Sequence, residues 1–200
     1  MEAGLRLLGA PSFLTPPHSH QLPSGLVTYL AAYLALKDSW VTRDTVVDLF
    51  WPDVAVQRGR HNLAQLLYQA RRSPWGDSID VEPRRLRLEV ETDVARFRRA
   101  AAGGEWSRAT AQYTGELLEG VSGPLSPALS SWLEGEREDL RETWSEAVRH
   151  SAESSADSGD WSESARLLRR LLGSNALLEG AVQSLIRAEA MAGRRDVAGA

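Results

Sequence analysis

The chain has no cysteine, which removes disulfides, thiolate zinc sites and a cysteine nucleophile and fits a reducing cytoplasm. It has a single lysine, Lys37, beside 22 arginines, a bias that codon usage alone can produce. No run of about 18 apolar residues occurs, so no membrane-spanning helix is expected. The N-terminus has no basic region ahead of an apolar stretch, so no secretory signal is expected either. No Gly-rich phosphate loop follows a strand, and no His-Glu-x-x-His occurs. The carboxylates of 134–146 alternate with arginine as on a solvated helix face. No catalytic residue, bound cofactor or metal site is therefore expected. His18 and His20 have an i,i+2 spacing that can hold a metal, but they stand in a Pro/Ser-rich stretch that reads as a loop.

The most informative absence is local. Between Asp53 and Asp77 there is no acidic residue, although the 200 positions hold 27 Asp and Glu. On a helix of roughly 100° per residue, Leu63, Leu66, Leu67 and Ala70 share one face. Arg58, His61, Asn62, Gln65, Tyr68, Gln69 and Arg72 share the other, with Arg60 and Arg71 at its flank. Solvated helices normally interleave Glu with Lys or Arg at i,i+4. This face instead carries side chains that contact phosphates and read base edges, with nothing to repel a polyanion. The global charge of −4 argues the other way, but attraction follows the local patch within a Debye length of roughly 8–10 Å. Across 56–88, seven Arg face only Asp77, Asp80 and Glu82.

The rest of the chain gives this segment a context. Leu5–Leu8 and Ser12–Leu14 read as two short strands around a turn, and Pro16, Pro17 and Pro23 break the chain. Leu26, Leu30, Tyr33 and Leu34 mark a helical face ending near Asp38. Thr42 is a candidate N-cap for a short helix whose buried side holds Val46, Val47, Leu49 and Phe50, stopped by Pro52. The acid-free helix spans about Val56 to Ser73. Alternation over 78–81 and 86–90 predicts a β-hairpin with Arg84 and Arg85 at its polar tip. From Asp93, a candidate cap, only helices are expected. One carries Val94, Phe97 and Ala101, and a second carries Trp106, Ala109, Tyr113 and Leu117. A loop from Gly120 to Ser131 precedes a long charged helix from Trp132 to about Val148. Gly159-Asp160-Trp161 resembles Gly104-Glu105-Trp106, and Gly193-Arg194 follows 34 residues after Gly159, the period of tetratricopeptide (TPR) hairpins. A further helix beginning at Asp196 would be cut off at Ala200, so the chain is expected to be part of a longer protein.

Three helices followed by a hairpin is the order of a winged helix-turn-helix, whose third helix enters the major groove while the wing touches flanking phosphates. Arg58, Asn62, Gln65 and Gln69 are then the candidate base readers, since Arg suits guanine and Asn or Gln suits adenine. Arg60, His61, Tyr68, Arg72, Arg84 and Arg85 are the candidate phosphate contacts. The alternative for the helix is a solvated surface or a contact with other helices, and for the hairpin a charged edge that resists aggregation.

At these residues the sequence resembles a known family. Gly4 through Val90, with Thr42-Arg-Asp, Leu49-Phe-Trp-Pro52 and Arg60-His-Asn-Leu63, is similar to the OmpR-type winged helix of the streptomyces antibiotic regulatory protein (SARP) family. Asp93–Phe97, Tyr113–Gly120, Trp132-Leu-Glu and Glu136-Arg resemble that family's bacterial transcriptional activation domain (BTAD). The resemblance implies a transcription regulator, usually an activator, that binds direct repeats near promoters and contacts RNA polymerase. The third helix departs from the family pattern, with Gln69-Ala70 before Arg71-Arg72 and Pro74 soon after.

The resulting expectation is a mainly α protein with a small β component. A winged helix-turn-helix domain occupies residues 1–92, and an α-helical TPR-like domain occupies 93–200. Expected partners are double-stranded DNA and, through the helices, RNA polymerase or another transcription protein, with homodimerisation as a second use of those helices. No membrane partner is expected, and the expected location is the cytoplasm, on the nucleoid. The rival reading is a helical-repeat adaptor whose winged helix does not read DNA.

Overall fold

The structure, a computed structural model, describes residues 4–174 and 179–198. It is mainly α with two small antiparallel sheets and divides into two compact units, one of residues 1–96 and 113–139, the other of 97–112 and 140–200.

The first unit opens with a three-stranded sheet, β1 (Gly4–Arg6), β2 (Ser12–Thr15) and β3 (His18–Gln21), in that order. Two strands were expected. The third corrects the loop assigned around His18 and His20: Pro16-Pro17 is the tip of a hairpin in which Thr15 pairs with His18. A hairpin tip needs no ladder N–H from proline, and β3 is exposed at every position, so it carries no apolar alternation to betray it.

Helix α1 (Leu26–Lys37) is buried at every position from Thr28 to Ala35, beyond the single face expected. Thr42 caps α2 (Arg43–Phe50) as expected, accepting a hydrogen bond from the Thr45 N–H at 3.1 Å. Helix α3 (Val56–Arg71) buries Leu63, Leu66, Leu67 and Ala70. It can lie close to α2 because Gly59 has no side chain: a Cβ there would stand 2.5 Å from Val47 Cγ1. The hairpin follows as β5 (Ile79–Val81) and β6 (Arg85–Leu88). A short strand, β4 (Val41–Thr42), pairs with β6 to give the order β4-β6-β5. Helix, helix, helix and hairpin make a winged helix.

Downstream residues complete this unit. Leu117 forms a β-bridge with Leu8, the Gly9 N–H donates to Glu116 O at 2.8 Å, and Trp132 meets Tyr33 edge-on at 5.1 Å. This pairing corrects the helix expected through Tyr113 and Leu117. Helix α5 (Trp106–Gln112) ends before them, because the chain turns extended to join Leu8. The first of the later helices, α4 (Asp93–Ala102), is capped by Thr92, not by Asp93: the Ala95 N–H donates to Thr92 Oγ1 at 2.9 Å. Asp93 is buried and accepts instead from the N–H groups of Leu7, Leu8 and Val94 at 2.8, 3.0 and 2.9 Å. Burial pushes its carboxyl above the ordinary 3.8, against the pull of those three donors.

Helix α6 (Pro127–Asp157) is longer at both ends than expected. Pro127 belongs to its first turn and Ser126 Oγ accepts from the Leu129 N–H at 3.0 Å, so a proline taken to mark a loop marks a helix start.

In the second unit, α5 and the later half of α6 are joined by α7 (Trp161–Ser174) and α8 (Glu179–Ala198). The two similar Gly turns are alike to the hydrogen bond. Gly104 and Gly159 have φ of +69° and +82°. Glu105 N–H donates to Ala100 O and Asp160 N–H to Ser155 O, each at 2.8 Å. Both are Schellman closures, which need a residue in the left-handed region. The third copy expected at Gly193-Arg194, and the helix start at Asp196, are corrected: α8 runs through both. A helical Gly costs only about 1 kcal/mol against Ala, too little to end a helix flanked by Ala, Met and Arg. Among the described residues no helix is long and apolar enough to cross a membrane.

Candidate nucleic-acid interface

The outward face of α3 carries the side chains that the sequence groups there. Arg58, Gln65 and Gln69 are exposed and Asn62 is half-buried. Gln65 Nε2 lies 3.0 Å from His61 Nε2, so a candidate base reader and a candidate phosphate contact are hydrogen-bonded to each other one turn apart. Tyr68, 64% exposed, accepts from Arg72 Nη1 at 3.1 Å, with the guanidinium 5.6 Å from the ring centre. These i,i+4 pairs fix side-chain direction on a surface helix. Arg58, Asn62 and Gln69 have no such partner among the described residues.

Arg60 behaves differently. Its Nη2 and Nε stand 3.1 and 3.3 Å from Asp44 Oδ1, across the gap from α3 to the first turn of α2. A groove between α2, α3 and the hairpin tip is lined by Thr42, Arg43, Asp44, Arg60, Pro83 and Arg84. Arg43 fastens the tip to α2, giving its backbone N–H to Arg84 O at 3.0 Å and its Nε–H to Glu82 O at 3.1 Å.

The hairpin places Arg84 in its tip, exposed and without a side-chain partner among the described residues. Arg85, the first residue of β6, is held by Glu82 through two hydrogen bonds of 2.7 and 3.1 Å. That bond keeps the Glu82 carboxyl below its ordinary 4.5 and Arg85 above its own usual value. Arg87 pairs with Asp80 at 2.8 Å and Glu89 at 2.7 Å. Both guanidinium groups lie over the Trp40 ring, 4.3 and 5.0 Å from its centre. Sequence reasoning missed Trp40, Arg43, Asp44 and Glu82 as parts of this surface. Their partners are 16 to 47 residues away or across a strand pair, beyond helical periodicity, although the charge alternation of β5 and β6 signals the hairpin pairs.

The second unit has a groove of its own among α6, α7 and α8. It is lined by small residues, Ala152, Ala156, Gly180 and Ala181, together with Arg149, Trp161 and Arg187. Among the described residues no cluster of three potential metal ligands occurs.

A sequence model of the family described as "Bacterial transcriptional activator domain" matches residues 84–199. Among solved structures the chain is similar to Mycobacterium tuberculosis EmbR, determined in complex with a low affinity phosphopeptide, at a TM-score of 0.67 and 20% identity. The likeness covers 98% of this chain and 56% of the EmbR chain, so the sequence spans little more than half of that relative. At this identity the likeness is one of fold. No curated protein matches the sequence.

Proposed function

The chain belongs to the bacterial transcriptional activator domain family, and from that premise we propose that it is a transcription regulator that binds double-stranded DNA through its winged helix. The observation that carries the reading is the outward face of α3, where Arg58, Asn62, Gln65 and Gln69 project from a helix without a single acid. Those four are assigned to base edges, and Arg60, His61, Tyr68, Arg72, Arg84 and Arg85 to phosphates. All lie within residues 1–92, to which DNA binding is assigned. Residues 93–200 are assigned to protein contact, with the groove among α6, α7 and α8 as the surface for RNA polymerase or another transcription protein. Part of that stretch, 113–139, also supports the winged-helix unit. Activation, homodimerisation and a place on the cytoplasmic nucleoid extend the same reading. The family is one of transcription regulators, and no enzymatic role is assigned.

The test is selection of bound duplexes from random DNA with the full chain, followed by titration against salt. A defined site should emerge, with affinity falling steeply as salt rises. Arg58→Ala with Gln65→Ala should relax sequence preference, whereas Arg84→Ala should weaken all sequences alike. If the chain ignores DNA at low salt, the helical-repeat adaptor reading replaces this one.

A further inference from the structure

Two of the assigned phosphate contacts are already occupied. Arg60 gives its fork to Asp44, with Nη2 3.1 Å from Oδ1 and 3.4 Å from Oδ2. Arg85 gives its fork to both oxygens of Glu82. We propose that Asp44 and Glu82 are brakes on the phosphate-directed share of DNA binding, each holding a guanidinium that a phosphate would otherwise take. The inference rests on the DNA-binding reading above and adds residues that set its strength.

The chemistry is one of competition. An arginine fork binds a carboxylate and a phosphate through the same planar pair of N–H donors, so it serves one of them at a time. Contact with a phosphate through Arg60 or Arg85 therefore costs the existing pair, and it leaves a bare carboxylate facing the polyanion. Neither pair is needed to hold the fold. Arg60 and Asp44 are 61% and 64% exposed, Arg85 and Glu82 48% and 44%, and pairs that open to water contribute little to stability. Position adds to the argument. Asp44 stands in the same groove as Arg43, Arg60 and Arg84, within an arginine cluster. The Glu82 carboxyl, held below its ordinary range by Arg85, stays ionised at neutral pH and keeps its grip. Asp44 also suits the positive end of α2, a role it would fill without Arg60.

The experiment uses the full chain and a short mixed-sequence duplex, so that only phosphate-directed binding is read. Asp44→Asn should tighten binding roughly three- to tenfold near 0.1 M salt and steepen the salt slope by about one unit, as one more phosphate is engaged. The gain must run through the released arginine. In an Arg60→Ala background, Asp44→Asn should yield only the small increase given by the control Asp48→Asn, an exposed acid one turn along α2 with no partner among the described residues. Glu82→Gln with Arg85→Ala forms a second, independent cycle, which keeps the proposal testable if a variant at Asp44 fails to fold. Weaker binding by both acid variants would mean that the acids aim their arginines, and would overturn the proposal. So would a gain that survives loss of the arginine. No binding by the wild-type chain at low salt would sink the DNA reading and this inference together, whereas wild-type binding with no gain in either acid variant sinks the inference alone.

Discussion

Helix α3 and the β5–β6 hairpin are both rich in arginine, yet they present it in opposite ways. On α3 no acid lies within the helix, and the outward polar groups bond to one another at i,i+4, as in His61 with Gln65 and Tyr68 with Arg72. On the hairpin the arginines of β6 each face a carboxylate, Arg85 with Glu82 and Arg87 with Asp80 and Glu89, and stack on Trp40. Richness in cations therefore does not by itself mean availability. Apart from Arg60, which Asp44 of α2 holds, the helix offers its donors outward, while the hairpin spends most of its own internally and leaves Arg84 at its tip without a side-chain partner among the described residues. A count of charges along the sequence merges the two regions into a single basic patch.

The strongest way to break the helix side of this contrast is at Gly59. A Cβ there meets Val47 Cγ1 at 2.5 Å, so Gly59→Val should force α2 and α3 apart. Chemical denaturation should register a loss of about 2–3 kcal/mol, with DNA affinity falling for every sequence. An unchanged midpoint would show that the two helices have room to spare. On the hairpin side, Trp40→Ala removes the ring beneath Arg85 and Arg87. The melting temperature should drop by roughly 2–5 °C and protease should cut the hairpin tip sooner, with less effect on DNA affinity than Gly59→Val. A loss of affinity as large as at Gly59 would mean that the stacked arginines are themselves contacts.

The smallest effects concern pH. Glu82 titrates below its ordinary 4.5 in the folded chain because Arg85 bonds its ionised form. Its contribution to stability is present above about 4.5 and is lost as pH falls through the lower folded value. Urea midpoints of wild type and Glu82→Gln should therefore converge on acidification through that window. Asp93 has the opposite sign: its carboxyl is raised above 3.8 by burial, so its contribution is complete below 3.8 and declines as pH rises through the folded value. Curves for Glu82→Gln that ran parallel to wild type would mean that the hairpin acids are not coupled to its arginines.

The features legible in the sequence were those that repeat along one element. The buried stripe of Leu63, Leu66, Leu67 and Ala70, the Thr42 cap, and the alternation of the hairpin each depend on neighbours within a few positions. Contacts between elements were not legible. Nothing local to Tyr113–Leu117 shows that Leu8 will pull it out of a helix, and nothing local to Arg60 shows Asp44 sixteen residues earlier. Signals with two meanings mislead. Pro127 starts a helix, Pro16-Pro17 turns a hairpin, and Gly193 sits inside α8, whereas Gly104 and Gly159 do end their helices. The candidate site was thus legible as a list of side chains, but not as the network of ion pairs that decides which of them are available.

The bridge between Leu8 and Leu117, with Asp93 tying the backbone of Leu7 and Leu8, also sets an order of events during synthesis. The first strand leaves the ribosome early, but its partners at 93 and 117, and the Trp132 that meets Tyr33, arrive much later. At roughly 5–20 residues per second, the winged-helix unit waits on the order of ten seconds for its last pieces. Until residues 91–93 emerge the outer edge of β1 is open, and a nascent chain that stalls before α6 cannot finish the unit that carries α3.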